Sequence, residues 1–386
     1  MKKICHISGT TLPGGGPEHI YQLSKRLNRS EWDVIICTSK DGLYWDKFNS
    51  IGIKTYNLVF RKLLLSSLFK LFFILKKEKP DIVHTHGKGP GLYGRIVGKI
   101  LNIPVIHTYH GFHYENLSKL KQCLYLAIES FLALITTHHI FVSNGERDRA
   151  RVIKLVDEEN STAIHNGVDC EYIENLHIER EAILQSIGYL SWENNSLIGT
   201  ISRLSPEKGI INLLLAFHKI IQKKKNLRLI IIGGYPEEHK NYYLMIKRLI
   251  EEKGLSEHVC ILGYRRDALK IIKCLDIYIS ASLSEGLPIS ILEACASKIP
   301  TIATDICGNK DILCNSVFGS LVKPNSTVSL AEGVIKMVQL SQTEREVMTR
   351  NAHSRIKNHF SVNAMVNKTT QLYSLVLYSK QAHNPN

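Results

Sequence analysis

No run of apolar residues in this 386-residue chain approaches the roughly 18 that a membrane-crossing helix needs, which argues against an integral membrane protein. The N-terminus, MKKICHIS, lacks an apolar h-region and a small-residue cleavage site, so export is not expected. Nine cysteines are present but no C-x-x-C pair, which disfavours structural zinc. Cys5, Cys37, Cys260, Cys274 and Cys295 sit beside apolar residues and read as small buried hydrophobes in a reducing compartment. Short-period repeats and low-complexity tracts are also missing. What is there is ordinary globular material: 44% hydrophobic and 22% charged residues, too apolar for disorder and long enough for two or three domains.

Charge is uneven. Lys and Arg number 49 against 35 acids, and residues 54–121 alone hold twelve basic residues and three acids (Glu78, Asp81, Glu115). Such a segment suits an anionic partner: nucleic acid, anionic lipid or a phosphorylated substrate, or else it is a solvated basic face. No recognised nucleic-acid-binding motif accompanies it.

Short apolar runs alternate with helical stretches. Strands are expected at 4–8, 34–38, 54–58, 82–85, 105–109 and 140–143, with helices at 18–28, 63–77, 92–101, 119–134 and 145–155. Residues 170–195 read as one polar helix and a turn-rich stretch. A second series follows, at 197–202, 227–233, 258–263, 277–280 and 301–304. Unbroken apolar strands between helices mark parallel sheets covered on both faces, hence two doubly wound domains. The expected division is 1–180, 181–360 and a final amphipathic helix at 361–386 that must dock on something. In such sheets ligands bind beyond the carboxyl ends of the strands, so the informative loops are those that follow strands.

Three loops stand out. The first, Gly9 to Glu18, contains Gly14-Gly15-Gly16 and opens a helix, so backbone N–H groups can approach an anion. It is neither a G-x-G-x-x-G turn nor a P-loop. The second, Ser202-Arg203-Leu204-Ser205-Pro206-Glu207-Lys208-Gly209, puts a guanidinium and an ammonium near one helix start, as a diphosphate requires. The third, Ser284-Glu285-Gly286-Leu287-Pro288 through Glu293-Ala294, sets two carboxylates around a helix start, with Pro288 expected in the first turn. Glu293, about 7.5 Å further along, is costly to bury in so apolar a helix unless a ligand or cation meets it.

Glu285 and Glu293 enclose seven residues. With Ser-Arg-x5-Lys-Gly and the glycine loop, the chain resembles glycosyltransferase family 4, retaining enzymes of the GT-B fold, from residue 4 to about residue 360. Val83-His84-Thr85-His86, Thr108 to His113, and His165-Asn166-Gly167-Val168-Asp169 resemble the bacterial capsule, exopolysaccharide and O-antigen branch. The resemblance implies two Rossmann-like domains facing a central cleft, the C-terminal helix crossing back to the first. It implies transfer of a hexose or N-acetylhexosamine from a nucleotide diphosphate sugar, expected to be a UDP-sugar, to a lipid-linked saccharide. Arg203 and Lys208 would bind the diphosphate and stabilise its departure, with Gly15, Gly16, Gly286 and Leu287 around it. Glu285 would contact the transferred sugar, Glu293 the ribose, His110 the reacting sugar, and Gly263-Tyr264-Arg265 the base. Neither metal nor cofactor is expected, since cations already supply charge stabilisation.

The sequence departs from the family at Pro17, at Gly233-Gly234-Tyr235-Pro236 and at Cys307-Gly308-Asn309-Lys310-Asp311. Other readings are a GT-B epimerase or hydrolase acting on the donor alone, and a non-catalytic nucleotide- or sugar-binding protein. The histidines at 84, 86, 107, 110 and 113 could suit a metallohydrolase, but no acid sits beside them. His84 and His107 read instead as satisfied polar groups at strand ends. Residues 61–77 are basic at both ends around an apolar stretch at 63–75, which either packs on the core or lies in the cytoplasmic leaflet. The expected location is therefore cytoplasmic, peripheral on the inner face of the plasma membrane.

Overall fold

The computed structural model describes residues 1–60, 64–112, 114 and 118–383; the expected basic pair Arg61 and Lys62, Leu63, His113 and Glu115 lie outside them. Residues 1–167 and the C-terminal helix form one compact unit, and 168–361 form a second.

The first unit begins β1 (Lys2–Ser8), α1 (Gly15–Arg26), β2 (Trp32–Thr38), α2 (Leu43–Ser50), β3 (Lys54–Asn57), α3 (Leu65–Glu78). It continues β4 (Ile82–His86), α4 (Lys88–Ile100), β5 (Val105–Tyr109), α5 (Lys119–Leu134), β6 (His138–Phe141), α6 (Asn144–Val152) and β7 (Ser161–Ala163). All its strand pairs are parallel, in the order β3-β2-β1-β4-β5-β6-β7. Successive side chains serve opposite faces. Ile4, Val34, Ile36, Ile82 and Ile106 pack with α1 and α2. Cys5, Ile7, Ile35, Cys37, Val83 and Val105 pack with α3 and α4. Covering on both faces is why these strands read as unbroken apolar runs.

The second unit holds α7 (Cys170–Asn175), α8 (Arg180–Ser186), β8 (Ser196–Ile201), α9 (Ile210–Ile221), β9 (Leu227–Ile232), α10 (Lys240–Glu252) and β10 (Val259–Gly263). After these come α11 (Ala268–Ile272), β11 (Ile277–Ser280), α12 (Ile289–Ala296), β12 (Thr301–Thr304), α13 (Cys307–Leu313), β13 (Ser320–Val322), α14 (Thr327–Gln339) and α15 (Gln342–His359). Its parallel order is β10-β9-β8-β11-β12-β13.

Each expected strand is present, with ends displaced by a residue or two; β7 and β13 are additional, three residues long and at sheet edges. The first helix starts at Gly15 rather than residue 18, and the single polar helix expected at 170–195 is two short ones, α7 and α8. The division between units falls at 167/168, not 180/181. The Val168 N–H bonds Phe360 O, Lys273 Nζ donates to the carbonyls of Ile173 and Leu176, and Arg180 pairs with Asp276 through both guanidinium nitrogens. These bonds tie 168–186 to the second unit. The final helix, α16 (Val362–His383), joins the first unit through Val362, Met365, Val366, Leu372, Tyr373 and Val376, where it completes the α1–α2 core.

Two helices of the first unit depart from ordinary amphipathicity. On α3, Leu71 and Leu75 are buried, while Leu65, Phe69 and Phe73 form an exposed stripe at four-residue spacing. On α5 only Glu129 and Leu132 are buried; Leu120, Leu124, Ile128, Phe131 and Leu134 are exposed, Leu120 by 82% and Leu134 by 84%. Glu129 is buried because it takes both terminal nitrogens of the fully buried Arg95, at 3.0 and 3.1 Å, and the Tyr109 hydroxyl at 3.1 Å. A buried pair of this kind holds only while its lone pairs and protons are all engaged.

Candidate active site

In each sheet the strand order reverses direction beside the first strand, between β1 and β4 and between β8 and β11. Loops leaving such neighbours diverge to opposite faces and open a crevice at the carboxyl edge.

In the second unit these loops are locked together by backbone. Gly209 has a left-handed backbone, and a Cβ there would lie 2.1 Å from Ala281 O, so only glycine lets the β8 loop reach the β11 loop. The Leu283 N–H bonds Glu207 O at 2.8 Å. A Cβ on Gly308 would lie 2.1 Å from Gly286 O, so α13 is pressed against the same loop. Thr304 donates its hydroxyl to Ser282 O.

This frame sets Lys208 Nζ 2.5 Å from Glu285 Oε1, with the Ser282 hydroxyl donating to the same oxygen at 2.7 Å. Both charged side chains are about six-sevenths buried. Arg203 is largely exposed, its guanidinium 3.6 Å from Glu207, which also accepts the Ser205 hydroxyl at 2.6 Å. A closely held ammonium and an exposed guanidinium thus share one loop, and an ammonium has three N–H groups to share. Helix α12 starts behind Glu285 with Pro288 as its cap rather than in its first turn, and no side chain caps it. Ser290 and Glu293 share the half-buried face of α12; Glu293 is not enclosed as the apolar helix suggested. Tyr278, fully buried on β11, has its phenol pushed above the ordinary range by burial, and bonds Ser290.

Gly263-Tyr264-Arg265 are further along the same edge. The Gly233 N–H bonds Gly263 O at 2.8 Å, and the Leu204 N–H bonds Gly234 O at 2.9 Å, so the β10 loop reaches Arg203 through the β9 turn. Tyr264 is exposed, and Arg265 forks onto Asp267 at 2.8 Å through two nitrogens. The structure therefore gathers Arg203, Lys208, Glu285, Gly286, Leu287 and Glu293 on adjoining loops, with 263–265 at the flank.

Gly15, Gly16 and His110 belong to the first unit. Gly15 and Gly16 form the first turn of α1, which has no side-chain cap. A Cβ on Gly16 would lie 3.7 Å from His110 Cδ2, so imidazole and helix start are neighbours. The loop before them is braced by Asp41, which takes the Thr11 N–H at 2.6 Å and the Thr10 and Thr11 hydroxyls. Glu18 is occupied by Gln22, Tyr44 and Lys47.

Around His110 is a buried histidine cluster. His6, His84 and His86 share one sheet face, His19 comes from α1, and His19 Nδ1 donates to Asn166 Oδ1 at 3.0 Å. His84 is satisfied, by Tyr373 at 2.6 Å and Thr108 at 2.7 Å. His107 bonds Thr85 at 2.7 Å but its Nε2 has no partner, and both residues lie inside strands rather than at their ends. Nitrogens of His6, His84 and His86 come within 4.8 Å of one another, the spacing of a metal trio. The ring nitrogens of His84 and His86 are, however, all engaged by protein partners. His6, His19 and Ser282 carried no spacing signal; strand pairing and loop packing bring His6 and His19 into the cluster around His110 in the first unit, and Ser282 onto Glu285 in the second.

Residues 13–172 match Glycosyltransferase Family 4 and residues 188–355 match Glycosyl transferases group 1. The chain is 28% identical over 389 aligned positions, 98% of each protein, to a UDP-Gal:alpha-D-GlcNAc-diphosphoundecaprenol alpha-1,3-galactosyltransferase of Escherichia coli. It is 24% identical, over 81% of each, to the capsular polysaccharide biosynthesis glycosyltransferase CapM of Staphylococcus aureus. Among solved structures, Anabaena HepE in complex with UDP and glucose matches with a TM-score of 0.84 at 20% identity, over 97% of this chain and 100% of that one. A glycosyltransferase from Rickettsia africae ESF-5 matches at 0.82 and 24% identity, over 97% and 98%.

Proposed function

The chain belongs to the glycosyltransferases, a family 4 domain followed by a group 1 domain in the GT-B fold, and from that premise we propose that it moves a hexose or N-acetylhexosamine from a UDP-sugar to a lipid-linked saccharide in bacterial surface-polysaccharide assembly. The observation that carries this reading is the Lys208–Glu285–Ser282 cluster at the β8/β11 crevice beside the start of α12. The E. coli relative, whose name specifies UDP-Gal and a diphosphoundecaprenol-linked GlcNAc, supports the donor and acceptor class.

Lys208, Arg203 and the Gly286–Leu287 backbone take the diphosphate, Glu285 holds the sugar, Glu293 the ribose, and the 263–265 loop the base. The acceptor hydroxyl attacks the anomeric carbon on the face the diphosphate leaves. The new C–O bond forms as the C–O bond to phosphate breaks, the proton passes to the departing phosphate oxygen, and configuration is retained. Cationic side chains carry the departing charge, so turnover is independent of added metal and indifferent to a chelator. An epimerase or hydrolase would consume the donor equally well without acceptor.

The first test is thermal melting with UDP, GDP, ADP and their sugars, without metal. A ligand bound only by the folded state raises Tm. UDP and one UDP-sugar are expected to raise it, and Glu293→Gln to diminish the shift; no shift with any nucleotide would refute the donor site.

The exposed stripes of α3 and α5 support peripheral attachment to the inner leaflet, where a lipid-linked acceptor resides. No described helix is long and apolar enough to cross a membrane. Helix α4 packs against both α3 and α5, and Lys70, Lys76, Lys77, Lys119 and Lys121 are exposed on or beside the stripes. Apolar side chains flanked by lysine suit an anionic bilayer surface. The protein is expected to sediment with phosphatidylglycerol vesicles at low salt, and Phe69→Glu with Phe73→Glu to abolish this. No sedimentation with either neutral or anionic vesicles would refute the attachment, and equal sedimentation with both would refute the role of the lysines.

A further inference from the structure

Three imidazoles of the first unit form a hydrogen-bonded line. His6 Nδ1 lies 2.9 Å from His86 Nε2, and His86 Nδ1 lies 3.0 Å from His110 Nε2. The terminal nitrogens, His6 Nε2 and His110 Nδ1, are buried and have no hydrogen-bond partner. The neighbouring histidines take no place in the line: His84 is held by Tyr373 and Thr108, and His19 by Asn166.

A neutral imidazole has one N–H and one lone pair, so each ring must donate on one side and accept on the other. The line can then be polarised in only two ways. In one, the unused N–H is on His6 Nε2; in the other it is on His110 Nδ1. A buried N–H without an acceptor is rarer than an unused lone pair. Both end nitrogens are buried, but His6 lies fully buried inside β1, whereas His110 follows the end of β5 at the partly exposed carboxyl edge, where a bound sugar can supply the acceptor, so the N–H belongs at the His110 end. Burial keeps all three rings neutral, holding His6 down to about 3 and His86 and His110 well below the ordinary histidine range.

We propose that His86, backed by His6, is a positioning residue for His110, fixing its ring plane and its tautomer with the N–H on Nδ1. This deepens the reading of His110 as a neighbour of the reacting sugar and rests on it. The line presents one fixed donor, suited to a sugar hydroxyl or ring oxygen, beside the first turn of α1. Sequence alone could not reveal it, because residues 6, 86 and 110 come together only through the pairing of β1, β4 and β5.

The test has two parts. In protein carrying 15N-histidine, with His110 assigned by difference against His110→Asn, the wild type is expected to show a protonated Nδ1 and a bare Nε2. A His110 protonated on Nε2 would overturn the proposed direction, and needs no further variant to be seen. Turnover is then followed as UDP release from the UDP-sugar that raises Tm, with a GlcNAc-diphosphate lipid as acceptor. His86→Phe keeps ring volume but no hydrogen bond, and is expected to lower kcat about 10–100-fold with donor KM little changed. His86→Asn places an amide nitrogen where Nδ1 lies and is expected to restore most of kcat and the His110 tautomer. If His86→Asn is as impaired as His86→Phe, or His86→Phe is unimpaired, the positioning role is wrong. If His110→Ala turns over normally while the tautomer is as expected, the sugar-contact premise fails, and the role with it, though the hydrogen-bonded line stands.

Discussion

Lys208→Ala is expected to lower turnover by about 10²–10³-fold, the loss typical of removing one charge-stabilising donor from a transition state. Lys208 Nζ is held 2.5 Å from Glu285 Oε1 inside a backbone-locked pair of loops, so its charge is fixed before any donor arrives. Preorganised charge acts without reorganisation at the moment the diphosphate departs, which is why its removal should fall on kcat. Arg203 is different: its guanidinium is mostly exposed and paired only at 3.6 Å, so Arg203→Ala should weaken donor binding more than it slows chemistry. The frame that holds Lys208 is made by Gly209, Leu283 and Gly308 rather than by the ammonium, so the fold should survive, as a normal circular dichroism spectrum would show. Near-normal turnover of folded Lys208→Ala would refute the diphosphate role.

The protein is also expected to lose stability steeply between pH 6.5 and 4.5. Burial holds His6 at about 3 and His19 at about 4, and keeps His84, His86 and His110 well below 6.5, with neighbouring histidines adding to the effect on His6, His84, His86 and His110. His107 and His139 behave alike. The folded pKa of each is depressed, so below pH 6.5 the unfolded chain binds protons that the folded chain refuses, and stability falls as pH falls. Each group removes about 1.4 kcal/mol per pH unit in that window. Several acting together can exhaust a margin of about 5–15 kcal/mol within a few units. Carboxylates contribute lower down: Glu78, held at about 2 by Lys54, Tyr56 and Lys3, loses its contribution only below the ordinary carboxylate range near 4.3. Melting temperatures at pH 7.5, 6.5, 5.5 and 4.5 check this, and a flat profile down to 5 would show that the cluster does not remain neutral.

Much of the second unit's site was legible because it lies on short contiguous stretches. Arg203 and Lys208 are on one loop, and Glu285 and Glu293 on one loop–helix segment, so spacing alone exposes them. On α5 the expected bounds 119–134 hold, but the buried face was not legible: the apolar stripe is exposed and the buried positions are Leu132 and Glu129, the latter held there by Arg95 and Tyr109. The domain boundary was misplaced by thirteen residues because 168–186 has no strand and no apolar run, and its allegiance is set by polar bonds to Phe360, Lys273 and Asp276.

By itself, then, the sequence determined the α/β class and eleven of the thirteen strands among the described residues, and it singled out the 202–209 and 284–294 loops as candidates, since these follow from local periodicity and local spacing. Only the tertiary structure decided that Glu285 holds Lys208, that Ser282 joins them, and that His6, His86 and His110 form one line. Parallel strands bring residues tens of positions apart into register, and a hydrogen bond of 3 Å depends on that register rather than on any distance along the chain.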